Sequence, residues 1–240
     1  MTPAANLALR VAHRAGDTLV RQMDRTFQKN DGPLDNDALA SLSSFLLSLV
    51  KEELSQAHPT DTVTDNIAHT ADAPSWLVSL SGEENLRRGL PEFSLAVTRI
   101  EKGQTLATAI YSPMRQEQFT AGKGSGAGFQ GRRVRGSGIT RTDGAFGTVI
   151  GTDAPFLSGT LSTGDSLRDL ALAATSRVDL AIAFDLDPEI RVPLALLFSE
   201  AGHLIGDRNG GPLQGQGGDL VAAPAKCFRT LIPELKKLSA

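Results

Sequence analysis

Leu7, Val11, Ala15, Leu19 and Met23 recur every fourth position through residues 4–24, which stacks them on one side of an α-helix. A polar stretch with glycine and proline, residues 29–37, breaks the pattern. The pattern resumes over 38–54 with a broader apolar face, Leu39, Leu42, Phe45, Leu46, Leu49 and Val50, and predicts a second helix that His58-Pro59 closes. Residues 60–74 are polar and irregular, with room for one short strand. The period then changes. Trp76-Leu77-Val78 reads as a strand that empties into a small turn, Ser79-Leu80-Ser81-Gly82, with Glu83 and Glu84 opening a helix after it. Residues 92–113 read as two strands joined at Lys102-Gly103-Gln104, a hairpin.

Residues 117–138 are rich in glycine, with apolar islands at Phe119 and Phe129, and predict turns and edge strands. A buried strand follows at 148–152, a helix at 166–175, a strand at 178–184, a helix at 190–201, a strand at 220–223 and a helical end. Pro193 is expected in the first turn of its helix, where a proline ring is tolerated. Strands and helices are mixed throughout, without repeats or a long linker. This pattern predicts a layered α/β (α+β) fold. We expect an N-terminal α+β half, residues 1–135, and a C-terminal α/β half, residues 136–240, packed as one compact unit.

Composition narrows the function classes. Apolar residues make up 40% and charged residues 21%, ordinary for a globular chain, and the net charge of −3 does not favour nucleic acid as a partner for the whole surface. One cysteine, Cys227, excludes an internal disulfide framework and a thiolate metal cluster, and fits a reducing, cytoplasmic location. No apolar run reaches about 18 residues, so no membrane partner is expected. The first residues read as an amphipathic helix, not a signal peptide. His13, His58, His69 and His203 lack metal-ligand spacing and read as structural or surface residues, and Cys227 reads as an inert packed thiol. The glycines from 122 to 131 match neither a Walker loop nor a dinucleotide fingerprint. Lys123, Arg132, Arg133, Arg135 and Arg141 form a local basic cluster, read first as a solvated hairpin and second as a docking face for acidic protein or RNA.

Three motifs follow one another: Tyr111-Ser112-Pro113-Met114-Arg115-Gln116-Glu117-Gln118-Phe119-Thr120-Ala121, Gly124-Ser125-Gly126-Ala127 and Gln130-Gly131-Arg132-Arg133-Val134-Arg135. With Leu9 to Gly16, Gly151-Thr152-Asp153-Ala154-Pro155-Phe156 and Ser199-Glu200-Ala201-Gly202, they resemble the inositol monophosphatase family, in its bacterial extragenic-suppressor (SuhB-type) branch. The resemblance runs in order over nearly the whole chain. It implies an α-β-α-β-α sandwich of the inositol monophosphatase and fructose-1,6-bisphosphatase type, and phosphate monoester hydrolysis with Mg²⁺ held by carboxylates.

The carboxylate positions of that family are altered here. Its Gly-Glu-Glu falls on Asp65-Asn66-Ile67. Its strand-end Asp-Pro-x-Asp-Gly-Thr falls on the turn after Trp76, where Ser79 replaces the first Asp, Leu80 replaces the Pro, and one residue is missing around Ser81-Gly82. Its Trp-Asp falls on Glu189-Ile190. Its water-positioning Thr-Asp falls near Ser41 and Ser43, with Asp35 or Asp37 as alternatives. The chain is also short between Phe156 and Ser166, where the family carries substrate-mouth and dimer elements, which leaves a homodimer open.

The resulting expectation is a catalytically inactive member, with Asn66, Ile67, Ser79, Ser81, Gly82, Glu83, Glu84 and Ile190 as vestigial site positions, no cofactor and no metal. Glu83 or Glu84 is expected to fill the former phosphate position. The partner is expected to be a protein, with the transcription machinery suggested by the suppressor branch. The alternative is a Mg²⁺-dependent phosphate monoesterase with a metal re-sited on Glu83, Glu84, Asp65 or Asp185.

Overall fold

The computed structural model describes residues 1–29, 32–70, 73–215 and 217–238. Residues 30–31 of the polar breaker, 71–72 of the irregular segment and 239–240 of the helical end lie outside the described residues. Helix α1 (Pro3–Phe27) starts with proline, and the hydroxyl of Thr2 accepts from the Ala5 amide at 3.2 Å. Helix α2 (Asn36–Ser55) is capped by Asp35, which accepts from the Ala38 amide at 2.8 Å.

Strands β1 (Thr62–Thr64), β2 (Ser75–Ser81), β3 (Ser94–Glu101), β4 (Gln104–Ser112), β5 (Glu117–Gly122), β6 (Gly126–Phe129) and β7 (Arg132–Val134) form one sheet in sequence order. A 3₁₀ turn at Ile67–Thr70 follows β1, and helix α3 (Glu83–Arg87) follows β2. The predicted hairpin is tighter than expected. Lys102 and Gly103 both have positive φ and form a two-residue turn, so Gln104 already pairs with Glu101. The glycine-rich segment also differs from expectation: β5 is interior, between β4 and β6, because its alternate residues Phe119 and Ala121 are buried.

The second sheet has the order β11-β12-β10-β8-β9. Its strands are β8 (Phe146–Ile150), β9 (Gly159–Leu161), β10 (Leu180–Leu186), β11 (Leu204–Gly206) and β12 (Gly218–Ala223), interspersed with helices α4 (Ser166–Ala173), α5 (Pro188–Glu200) and α6 (Ala225–Leu238). The sequence pattern did not anticipate β9 or β11. The shortened segment after Phe156 thus keeps one strand, which pairs with β8.

The two-residue period of the strands assigns the layers. Leu95 and Val97 of β3, with Ala109 and Tyr111 of β4, pack under α1 and α2. Ala96 and Ile110 point to the opposite face and join Leu167 and Leu170 of α4 and Leu194 and Leu197 of α5. Those helices also cover Ala181, Ala183, Leu220 and Ala222 of the second sheet. Leu180, Ile182, Val221 and Ala223 face the other way, against Cys227, Phe228 and Leu231 of α6. The order is helices, sheet, helices, sheet, helix: the expected α-β-α-β-α sandwich.

Helix α1 approaches its sheet closely at Gly16, where a Cβ would lie 2.9 Å from both Leu95 and Tyr111 side chains. Cys227 is fully buried, and burial pushes its thiol up to about 11. No described helix is long and apolar enough to cross a membrane.

Candidate functional site

The end of β2, the start of α5, the middle of α2 and the loop after β1 enclose a cleft of about 250 Å³. Ser43, Asp65, Ser79, Glu83, Asp187, Glu189 and Ile190 line it, together with Leu46, Val78 and Leu80. The structure therefore brings Ser79, Glu83 and Ile190 together with Asp65, as the sequence predicts. It adds Asp187, which the sequence reading did not assign to a site, and Glu189, which that reading placed only at the tryptophan position beside Ile190.

Glu189 organises this cleft through both of its acceptor groups. Helix α5 begins at Pro188, two positions earlier than expected, so Pro193 lies beyond the first turn, inside the helix. A proline there has no N–H for the carbonyl four residues back, which is that of Glu189. The Ser79 hydroxyl donates to this carbonyl at 2.6 Å and fills the vacant position. The Glu189 side chain reaches the other way and accepts from the Ile67 amide at 3.0 Å. One residue thus ties β2 and the 3₁₀ turn to the start of α5, across sequence separations of 110 and 122 residues.

The other predicted positions are occupied by structural bonds. The Asn66 side chain accepts from the Ala68 amide at 2.9 Å, and its own amide donates to the Thr64 hydroxyl, so Asn66 shapes the loop. The Ile67 side chain packs with Leu77 and Ile100. Gly82 precedes α3 with φ +82, and a Cβ there would lie 2.4 Å from the Glu92 carbonyl oxygen, so the turn requires glycine.

Four carboxylates proposed from the sequence fall away from the cleft. Glu84 turns along its own helix to Arg87 at 3.1 Å and Arg88 at 2.7 Å, the spacing at which helical side chains meet. Asp185 is exposed and pairs with Arg208 at 3.4 Å. Asp35 is spent on capping α2, while Ser43 and not Asp37 reaches the cleft.

Behind the turn lies a buried carboxyl that the sequence reading missed. Asp165 caps α4 and is fully buried. It accepts from the Ser94 hydroxyl, which contacts the Ser112 hydroxyl at 2.5 Å, and from the Arg168 amide at 3.3 Å. Ser81, at the end of β2, accepts from the Leu167 amide at 3.2 Å. Asn85 donates to the carbonyls of Glu92 and Thr163. The β2–α3 turn is therefore bolted to the segment that opens α4. Burial pushes the Asp165 carboxyl up to about 6.

No family model matches the chain. It is 28% identical over 265 residues to Nus factor SuhB of Pseudomonas aeruginosa, covering 98% of this chain and 97% of the relative. The crystal structure of extragenic suppressor protein suhB from Bartonella henselae superposes with a TM-score of 0.82 at 24% identity, over 98% of this chain and 99% of that one. Over nearly its whole length the chain is thus similar to proteins named Nus factor SuhB, and it has the fold of the extragenic suppressor protein. An inositol monophosphatase from Anabaena shares the fold, with a TM-score of 0.81 at 19% identity over 98% of this chain and 95% of that one.

Members of the inositol monophosphatase family use a hard cation, and the residues present here do not fit one. Mg²⁺ demands near-octahedral oxygen ligands converging at about 2 Å. Among the described residues, no group of three or more His, Cys, Asp or Glu side chains could hold a metal ion. Asp65, Glu83, Asp187 and Glu189 share a cleft without converging, and Glu189 is committed to the Ile67 amide. The hydroxyl of Ser79 is a neutral group and is committed to a carbonyl.

Proposed function

We propose that this chain has given up phosphate monoester hydrolysis and works as a regulatory, protein-binding relative of the SuhB-type branch, in contact with the transcription machinery of the cytoplasm. The observation that carries this reading is the position of Ser79. The residue at the aspartate position of the family's strand-end turn is a neutral hydroxyl engaged with the Glu189 carbonyl. A phosphate monoester would also meet the Glu83 carboxylate at the cleft, where like charge repels it. The regulatory half of the reading rests on the name Nus factor carried by the SuhB relatives, which match this chain end to end.

The test is phosphate release from inositol monophosphates and a panel of sugar and nucleoside monophosphates, with Mg²⁺ or Mn²⁺ added. We expect no release above an inactive-protein control. Metal-dependent turnover that disappears in Glu83→Gln would favour a phosphatase with a rearranged site. Binding is tested separately, by titrating purified transcription elongation complexes with the chain. Saturable association is the expected result.

A further inference from the structure

We propose that β7 is a docking edge for an acidic, extended segment of a partner protein. This deepens the protein-binding reading above by assigning it a surface and a chemistry. Among the described residues strand β7 pairs only with β6, which leaves its other side as a sheet edge. Gln130 and Gly131 both have positive φ and close the β6–β7 hairpin in two residues, with Phe129 opposite Arg132. A two-residue turn makes that closing pair the hydrogen-bonded one, so the next pair, Gly128 and Arg133, is not. The N–H and C=O of Arg133 therefore point outward, as an incoming strand requires.

The charge on this edge is local and unspent. The chain as a whole carries a net charge of −3, yet Arg132, Arg133 and Arg135 follow one another here, all exposed. Nearby arginines behave differently: Arg168 is paired with Glu117 at 2.7 Å, and Arg177 lies over the Phe129 ring. Among the described residues, the three edge arginines have no ion-pair partner. Arg133 lines two clefts, one of about 300 Å³ and one of about 480 Å³. Glycines 122, 126, 128 and 131 contribute to the first, leaving a surface that a backbone can approach. In the second, the hydroxyl of Ser137 is buried without a hydrogen-bond partner.

Charge complementarity selects an anionic occupant, and the free main-chain edge selects a polypeptide over single-stranded nucleic acid. Phe129, in the strand that pairs with β7, is 7% exposed and lies under Arg177, so its ring offers no platform for base stacking.

The probe is a fluorescent oligoglutamate of about a dozen residues, compared with an oligouridylate of equal charge, both at near-physiological salt. Three proteins are compared: wild type, the triple variant Arg132→Gln, Arg133→Gln, Arg135→Gln, and a control triple variant Arg10→Gln, Arg21→Gln, Arg25→Gln on exposed positions of α1. We expect saturable binding of the oligoglutamate, weakened at least about tenfold by the edge variant and unchanged by the control. Amide exchange followed by NMR should show protection of the Arg133 N–H in the bound state. The proposal fails if oligoglutamate does not bind, if both triple variants weaken it equally, or if the Arg133 amide stays unprotected. Tighter binding of oligouridylate through the same arginines would replace it with a nucleic-acid surface. None of these outcomes bears on phosphate release, so the docking surface and the non-hydrolytic reading fail independently.

Discussion

Replacing Asp165 by Asn isolates the cost of the buried carboxyl behind the β2–α3 turn. The carboxyl is fully buried, and burial raises it from 3.8 to about 6, against the opposing hydrogen bonds of Ser94 and Arg168. A carboxyl raised on folding binds protons preferentially in the folded state between those two values. Its contribution is most favourable below 3.8 and is lost as pH rises through about 6, a loss of about 3 kcal/mol. Asn keeps the N-cap acceptor, since Asn and Asp cap helices about equally well. Its amide can donate to the Ser94 hydroxyl, which can then donate to Ser112. The charge alone is removed.

His203 runs the other way. Burial pushes it down to about 4, so its contribution is present at neutral pH and lost as pH falls. The two slopes oppose each other in wild type. The informative quantity is therefore the difference between the two proteins, from which His203 cancels. Urea unfolding from about pH 4 to about pH 8 measures it. The Asn variant should gain on wild type by about 2 kcal/mol across that range, the remainder of the loss lying below pH 4. A difference that is flat with pH, or that grows in the opposite direction, would refute the account of Asp165.

Two further outcomes follow from the same contacts. Ser79→Ala leaves the Glu189 carbonyl without its donor and should cost about 1–3 kcal/mol in urea unfolding; in a Pro193→Ala background, which restores a helical N–H, the same change should cost less. Asp61 accepts from the Trp76 indole at 2.9 Å and pairs with the buried Arg99, so Asp61→Ala should lower stability by about 3–5 kcal/mol, and Asp61→Asn, which retains an acceptor for Trp76, should recover part of that loss.

The sequence carried the long elements because their signals are local. Leu7 to Met23 marked α1 by spacing alone, and the two apolar runs on either side of Lys102-Gly103 marked β3 and β4 as a hairpin. Strands β9 and β11 were invisible because three residues hold no period; they exist through pairing with β8 and β12. At the site, the small turn after Trp76 was readable, and so was its glycine, Gly82. The role of Glu189 was not, because its partners Ser79 and Ile67 lie more than a hundred residues away. A local signal did exist. Asp187 before Pro188 marks a helix start, which moves Pro193 into the helix and exposes the Glu189 carbonyl. Glu84 could likewise have been separated from Glu83 by its spacing to Arg87 and Arg88. Asp165 was missed, since its burial depends on the sheet folded over it.

In the function proposed for this chain, direct hydrogen bonds stand in place of metal ligation where β2, the 3₁₀ turn and α5 meet. Calorimetric titration of the chain with Mg²⁺ and Mn²⁺ tests it most directly. The account predicts no saturable binding at millimolar metal and no shift of the unfolding midpoint. Saturable binding that is lost in Glu83→Gln or Asp65→Asn would contradict it.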